Sequence, residues 1–197
     1  MLFRSAEGAN IDIAKVISAS NSQPYSHIHQ PGIAVGGHCI PIYPRFYLWN
    51  DPQATVVRAA REANAEMPEH AVSLLNSELN NLSGKTVAVL GISYRGGVKE
   101  SAFSGVFPTV DALKKAGAKV FVHDPMYTDE EIKGLGFEPY KIGSEAEGVI
   151  LQADHAEYKK LTEKDFPGLK AVIDGRRSLD KKNFATVALR VIGAPAH

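Results

Sequence analysis

The sequence of 197 residues contains a single cysteine, Cys39. One thiol cannot form an internal disulfide, and disulfide frameworks are typical of small secreted domains. The N-terminus also lacks the basic, apolar and small-residue order of a signal peptide, and no apolar run reaches the roughly 18 residues that a membrane span needs. These absences predict a cytoplasmic protein with a reduced thiol and no membrane association.

An excess of charge is missing as well. Twenty-two lysine and arginine residues balance 22 aspartate and glutamate residues, so the formal net charge at pH 7 is zero. Because general binding to nucleic acid usually rests on a basic excess, we expect no nucleic-acid partner. With 44% hydrophobic and 22% charged residues, the composition is typical of a globular protein with one large or two small domains.

Two phosphate-binding fingerprints are absent, the dinucleotide motif G-x-G-x-x-G and the P-loop G-x-x-x-x-G-K-[ST]. The second half instead alternates strand patterns with helical patterns. The predicted segments are a helix over 103–117 and strands over 85–94, 118–125, 147–155, 170–178 and 185–195. This alternation predicts an α/β fold with a doubly wound parallel sheet, whose strand-end loops share one ligand-binding edge.

The first half is predicted to consist of helices around a long loop. Residues 9–19 have apolar residues at helical spacing, whereas 21–44 are dense in turn formers and are predicted to be a loop. A helical pattern then continues from 51 to 84. Pro68 leaves two alternatives for it: one long kinked helix that links domains or forms an oligomer interface, or two ordinary helices.

The predicted loop carries the thiol. A lone cysteine is most often a small buried hydrophobic residue. Here, however, Gly36 and Gly37 would let the backbone approach a ligand, and Pro41 and Pro44 would stiffen the chain after the cysteine. His38 could stabilise a thiolate, which is the reactive form. A second hypothesis is therefore a reactive Cys39.

A zinc site is the third hypothesis for this segment. His27, His29, His38 and Cys39 are zinc-ligating residue types that lie close together in the sequence. Their spacing matches no common zinc pattern, and the adjacent pair His38 and Cys39 does not easily face one ion. We therefore expect no metal here.

Four cations follow predicted strands. Arg95 and Lys99 lie in the segment GISYRGGVKES, and Arg176 and Arg177 lie in IDGRR. At the ligand-binding edge of a parallel sheet they could pair with phosphate oxygens, an arginine in bidentate fashion. The alternative is that they are solvated surface charges.

Taken together, the segments GGHCIP, GISYRGGVKES and IDGRR resemble, in this order, the nucleotide-sugar 6-dehydrogenase family of UDP-glucose and GDP-mannose dehydrogenases. The resemblance implies that residues 1–82 are the end of a central domain with the cysteine loop and a long connecting helix. Residues 83–197 would be a Rossmann-like UDP-binding domain. A homodimer through helix 51–82 is implied, and so is an NAD-binding domain that this chain lacks, which would leave it inactive alone.

The resemblance also implies an activity. The family oxidises the C6 alcohol of a UDP-sugar to a uronate in two NAD-dependent steps through a thioester, for which Cys39 would be the nucleophile. The HCIP and NSQPYS segments resemble most the UDP-N-acetylmannosamine dehydrogenase branch. Two alternatives stay open: UDP-glucose 6-dehydrogenase, and a non-catalytic module that binds a nucleotide and dimerises.

Individual roles follow from the same resemblance. Lys99 is expected to reach an NAD phosphate. Two positions depart from the family pattern, since Tyr43 stands where an aspartate is usual and Tyr25 where an arginine is common. The expected substrate-binding residues are Gly32, Val35, Gly36, Gly37, Tyr94, Arg95, Arg176 and Arg177.

Overall fold

The structure is a computed structural model that describes residues 2–25 and 27–195. Its first part is helical. The helices are α1 (Leu2–Gly8), α2 (Ile13–Ser20), α3 (Cys39–Asn50), α4 (Thr55–Ala65) and α5 (Met67–Leu79).

The second part is a parallel sheet with connecting helices. Its elements are β1 (Thr86–Leu90), α6 (Val106–Lys115), β2 (Lys119–His123), α7 (Asp129–Gly134), β3 (Gly148–Leu151), β4 (Ala171–Asp174) and β5 (Ala188–Val191). Short 3₁₀ helices span Ala156–Lys160, Glu163–Asp165 and Lys181–Phe184. The strands are all parallel, in the order β2-β1-β3-β4-β5, which confirms the predicted fold class.

The central strands β1, β3 and β4 bury both faces, as expected when connections cover a parallel sheet on two sides, whereas the edge strands β2 and β5 are partly exposed. On one face Val89 and Ile150 pack with α5 and α6. On the other face Leu90 and Leu151 pack against Tyr158 and other aromatic residues from the loops and 3₁₀ helices. This two-sided burial holds the strand ends rigidly beside one another.

The helical stretch after residue 51 is two helices rather than one. α4 ends at Ala65, and α5 begins at Met67 with Pro68 in its first turn, where no backbone donor is needed. The apolar side chains of α5, among them Leu75 and Leu79, belong to the same cluster as the sheet. The domain boundary after residue 82 stays a prediction, although α5 itself packs on the sheet.

The predicted loop over 21–44 is wrong in its last six residues, because helix α3 begins at Cys39. Pro41 lies in the first turn, where a missing N–H costs nothing, and Pro44 is tolerated inside the helix. The prolines are therefore part of a helix and do not stiffen a loop. No helix among the described residues has the length and apolarity that would let it cross a membrane.

Candidate functional site

The strand order places a topological switch point between β1 and β3. After β1 the chain turns to β2 on one side, and β3 then pairs with β1 on the other side. In open parallel sheets, ligands bind in the crevice at the carboxyl ends of such strands. The loops at this edge are 91–97 after β1, 152–155 after β3 and 175–178 after β4.

The glycine segment 32–37 lies across this edge. Ile33 is fully buried, and a Cβ atom at Gly175 would lie 2.5 Å from its side chain. Near the other end of the segment, Gly37 N donates to Ala102 O at 2.8 Å. The segment therefore runs from the end of β4 to the loop after β1, with one apolar side chain as its anchor.

The structure brings the predicted site residues Gly36, Gly37 and Tyr94 together. A Cβ atom at Gly36 would lie 2.5 Å from Tyr94 Cβ and 2.9 Å from Phe103 O, so only glycine fits. Gly37 has φ +88°, and the Tyr94 ring lies 3.4 Å from the position of its missing Cβ. Val35 is also held, because its N–H donates to the Asn64 side chain at 2.8 Å.

Arg176 meets the other end of the segment at Gly32. Its Nη1 atom occupies the place that a Cβ at Gly32 would need. Its Nε and Nη2 atoms donate to Asp154 Oδ1 at 3.1 and 3.0 Å. Both Arg176 and Gly32 line a small crevice of about 10 Å³ together with Gln30 and Gly175.

The two other predicted arginines are placed differently. Arg177 makes a bidentate ion pair with Asp12, the N-cap of α2, at 3.0 and 2.6 Å, so its charge is already neutralised. Its φ of +53° is in the left-handed region, which is unusual for a side chain of this size. Arg95 is exposed, with its guanidinium 5.9 Å from the Tyr94 ring centroid.

Lys99, expected to reach NAD, is ion-paired with Glu131 at 2.5 Å and lies 5.0 Å above the Tyr127 ring centroid. The hydrogen bond from Lys99 lowers the pKa of the Glu131 carboxyl. The contact of Lys99 with an NAD phosphate stays a prediction, since among the described residues its observed partners are Glu131 and Tyr127. Among the same residues, no three histidine, cysteine or acidic side chains gather as a metal site would require.

Cys39 is exposed, which excludes the hypothesis of a buried hydrophobic residue. It is the first residue of α3, and anionic groups are favoured at helix N-termini. The preceding His38 places Nε2 3.0 Å from Glu100 Oε2, and this hydrogen bond is the main cause of a lowered Glu100 pKa. Glu100 Oε1 in turn accepts from Ala102 N at 2.8 Å, so the start of α3 is tied to the loop after β1.

The two departures from the family pattern are both on the surface. Tyr43 is 65% exposed and packs edge-to-face on Phe46 with ring centroids 6.2 Å apart. Tyr25 is 93% exposed. A phenol is neutral near pH 7, so Tyr43 does not replace a carboxylate.

Sequence reasoning missed a buried acid that shapes the site, Asp124 at the end of β2. Its Oδ2 accepts from Ile92 N at 2.7 Å and Ser93 N at 3.3 Å, and it lies 3.1 Å from His155 Nε2. Burial opposes ionisation of Asp124, but the bonds from His155, the Met126 amide and the Ile92 amide outweigh it, so its pKa is lowered. The one available signal was a carboxylate directly after a predicted strand.

Asp174, at the end of β4, is also buried but is shifted the other way. It accepts three backbone donors, from Arg176, Ser178 and Leu179, at 2.8 to 2.9 Å. Burial is the largest influence and raises its pKa despite these bonds. Its role is to fold the loop that carries Arg176.

These features define an α/β domain with a glycine segment laid across its carboxyl edge and a thiol beside it. Comparison with known families agrees. Residues 1–66 match the central domain of the UDP-glucose/GDP-mannose dehydrogenase family, and residues 88–184 match its UDP-binding domain. The chain belongs to this family.

Individual relatives are similar over most of this chain. UDP-N-acetyl-D-mannosamine dehydrogenase of Methanocaldococcus jannaschii is 31% identical over 178 residues, which cover 90% of this chain and 41% of that protein. The structure of a UDP-D-ManNAc dehydrogenase from Pyrococcus horikoshii matches with a TM-score of 0.80 and 27% identity, over 98% of this chain and 46% of that one. The structure of a UDP-glucose dehydrogenase from Pyrobaculum islandicum matches with a TM-score of 0.81 and 26% identity, over 97% of this chain and 45% of that one. The chain spans less than half the length of these proteins.

Proposed function

We propose that this chain supplies the UDP-sugar site and the nucleophilic thiol of a nucleotide-sugar 6-dehydrogenase, with UDP-N-acetylmannosamine as substrate. The observation that carries this proposal is the glycine segment 32–37, held across the carboxyl edge between Tyr94 and Arg176. Family membership and the names of the similar proteins support the choice of substrate class. Oxidation at C6 needs a hydride acceptor, for which the family implies NAD.

Three kinds of group would hold the nucleotide sugar. The closely packed glycines let a ligand lie against the backbone of segment 32–37. The part-exposed Tyr94 offers an aromatic surface, and the exposed Arg95 offers a guanidinium that is not ion-paired with any described residue. Arg176 has one nitrogen, Nη1, that faces the cavity at Gly32. Arg177 is expected only to support the site, because its guanidinium is already ion-paired with Asp12.

The role proposed for Cys39 is covalent. Its sulfur adds to C6 of the sugar once that carbon is at the aldehyde level, so that a C–S bond forms while the C–O π bond opens and the oxygen takes up a proton. The resulting thiohemiacetal would lose a hydride from C6 to the second equivalent of the acceptor that the family implies, NAD, and become a thioester. Hydrolysis of the thioester then breaks the C–S bond, releases the carboxylate and returns the thiol. Exposure of Cys39 beside the sheet edge suits this step, which requires a positioned and reachable thiol.

Dimerisation is a separate proposal. The predicted interface, residues 51–82, contains α5. The apolar side chains of α5 already pack against the sheet and are therefore not available to a partner. Six exposed apolar side chains lie on α3 and at the start of α4, and we call them the aromatic surface: Ile40, Tyr43, Phe46, Tyr47, Trp49 and Val56. Such a patch is typical of an interface, and we propose that a second copy of this chain covers it. Analytical ultracentrifugation should find a dimer that Trp49→Arg converts to a monomer; a wild-type monomer contradicts the proposal.

The nucleotide site is tested by calorimetry with UDP and GDP. We expect UDP to bind more tightly than GDP, and Arg176→Ala to weaken UDP binding by about tenfold or more, the typical cost of a lost charged hydrogen bond. Arg190→Ala removes another part-buried guanidinium, one that pairs with Glu78 away from the site, and should leave UDP affinity unchanged. Absence of UDP binding would overturn the assignment.

The thiol step is tested by incubating the chain with the C6 aldehyde of the UDP-sugar. If Cys39 adds to the aldehyde, its alkylation by iodoacetamide, followed by mass spectrometry, should slow in proportion to aldehyde concentration. UDP alone serves as the control for simple shielding. If the aldehyde protects Cys39 no better than UDP does, the chain is the non-catalytic nucleotide-binding module of the alternative hypothesis.

A further inference from the structure

One carboxylate oxygen joins two loops of the carboxyl edge. Asp154, three residues after the end of β3, receives at Oδ1 a hydrogen bond from Gly96 N at 3.0 Å. The same oxygen receives Arg176 Nε at 3.1 Å and Nη2 at 3.0 Å. Oδ1 of Asp154 thus links the loop after β1 with the loop after β4.

The carboxylate is itself held in place. Gly96 is packed so closely that a Cβ atom there would overlap the Asp154 carbonyl. Burial opposes ionisation of Asp154, but the Gly96 amide and the charge of Arg176 outweigh it and lower the pKa of this carboxyl. Asp154 is therefore a fixed anion at neutral pH.

This anion decides which part of Arg176 is free. A guanidinium has five N–H donors in a rigid planar fork. The edge made of Nε and Nη2 faces Asp154, which leaves Nη1 directed at Gly32, beside the small crevice that both residues line. Because the fork is planar, a change at Asp154 rotates the whole group and moves Nη1 away from this position.

We propose that Asp154 is a positioning residue of the nucleotide site, which acts through Arg176 by aligning Nη1 with an acceptor oxygen of a bound uridine nucleotide. This inference rests on the proposed function. Asp154 does not touch the nucleotide. Its carboxylate excludes the other orientations of Arg176 and so reduces the entropy that the side chain loses when the ligand binds.

The first test is UDP affinity, measured by calorimetry on the complete chain. Asp154→Asn keeps the shape and an acceptor for Gly96 but removes the charge that holds Arg176. We expect UDP binding about tenfold weaker, with a melting temperature close to that of the wild type because the Asp154 side chain is 40% exposed. Glu147→Gln, which removes a carboxylate paired with lysines at the opposite edge of the sheet, should leave UDP affinity unchanged.

A double-mutant cycle separates positioning from a general structural role. In the Arg176→Ala background, Asp154→Asn should change UDP affinity by less than about twofold, because the group through which it acts is gone. An equal loss in both backgrounds would show that Asp154 acts through the loop after β1 and would overturn the proposal. Normal UDP binding by Asp154→Asn in the wild-type background would also overturn it.

Two further outcomes are informative. If the wild-type chain does not bind UDP, the proposed function itself fails; if the wild type binds and Asp154→Asn binds equally well, only the present inference fails. Should Asp154→Asn unfold, Arg176→Lys replaces it, since lysine keeps the charge but cannot span Asp154 and the ligand with two edges. Arg176→Lys should then show the same tenfold loss, and unchanged affinity would contradict the inference.

Discussion

The carboxyl edge of the sheet and helix α3 differ in how their functional groups are held. At the sheet edge, Ile33 is fully buried, and the carboxylates that shape the loops are hydrogen-bonded to backbone amides. On α3, Cys39 is exposed and Trp49 is 84% exposed, and the other aromatic residues, Tyr43, Phe46 and Tyr47, are also exposed. One region is preorganised by this chain alone, and the other presents apolar surface that suits a partner.

The difference has a physical cause in sequence. The loops at the sheet edge follow strands whose two faces are buried. Each loop contributes an aspartate or a glycine that hydrogen-bonds to, or packs against, an adjacent loop. α3 has no buried apolar stripe, since Pro41 is its one buried residue. A nucleotide should therefore find its site formed in advance, whereas the surroundings of the thiol depend on what covers α3.

The largest effect should come from removing the anchor of the glycine segment. Ile33→Ala leaves a cavity beneath Gly175 and should lower the free energy of unfolding by about 2–5 kcal/mol, measured by urea denaturation. The matched control is Ile28→Ala between α2 and α3, at a residue that is 49% exposed. Similar effects of the two substitutions would remove the contrast between the regions.

The next effect concerns Asp124, whose pKa is lowered in the folded protein. A carboxyl with a lowered folded pKa stabilises the fold above its unfolded pKa, and this stabilisation is lost as pH falls through the folded pKa. Asp124→Asn should therefore destabilise the fold at pH 7 by about 1–3 kcal/mol, and less as pH falls below about 4.

Asp174 provides the comparison, because its pKa is raised and the sign of its contribution is reversed. Its ionisation costs stability as pH rises past the unfolded pKa, so Asp174→Asn should be tolerated better at pH 7 than Asp124→Asn. Thermal melts of both variants between pH 3 and pH 8 test this order. The reverse order would contradict the lowered pKa of Asp124 and the raised pKa of Asp174.

Two glycine substitutions should separate packing from positioning. At Gly36 a methyl group meets the backbone oxygen of Phe103, so Gly36→Ala should cost about 1–3 kcal/mol of stability. At Gly32 the methyl group meets the movable end of Arg176, so Gly32→Ala should weaken UDP binding more than it lowers the melting temperature. Thermal melts and calorimetry on both variants test these expectations. Equal melting temperatures for Gly36→Ala and Gly32→Ala would contradict the tight packing of the glycine segment at Gly36.

The smallest effect is expected on α3. Trp49→Ala should change the unfolding free energy of the chain at low concentration by no more than about 0.5 kcal/mol, because little of the indole is buried. Chemical denaturation in dilute solution measures this. A large loss would show that the aromatic surface is part of the fold.

Much of the sheet domain could be predicted from its sequence. The five strands follow from short apolar runs between turn formers, and the parallel order follows from their alternation with helices. Helix α3 could not be predicted in the same way, because Pro41, Pro44 and the preceding glycines all favour a loop locally. The exposed aromatic residues of α3 also give no amphipathic pattern to detect.

Individual residues of the candidate site could be predicted from the sequence, but the ion pairs that they form could not. Strand-end position singles out Tyr94 and Arg176, but sequence does not show that Arg177 pairs with Asp12, 165 positions away. Nor does it show that Lys99 pairs with Glu131. Such pairings depend on which loops the topology brings together, and that information lies in the fold rather than in local patterns.

The central claim is that a uridine nucleotide binds at the sheet edge, on the glycine segment. Hydrogen–deuterium exchange with and without UDP tests this most directly. The account predicts slower exchange in three segments, 32–37, 91–97 and 175–178, and unchanged exchange within α3. Protection confined to α3 and α4, or no protection at the three segments under saturating UDP, would contradict it.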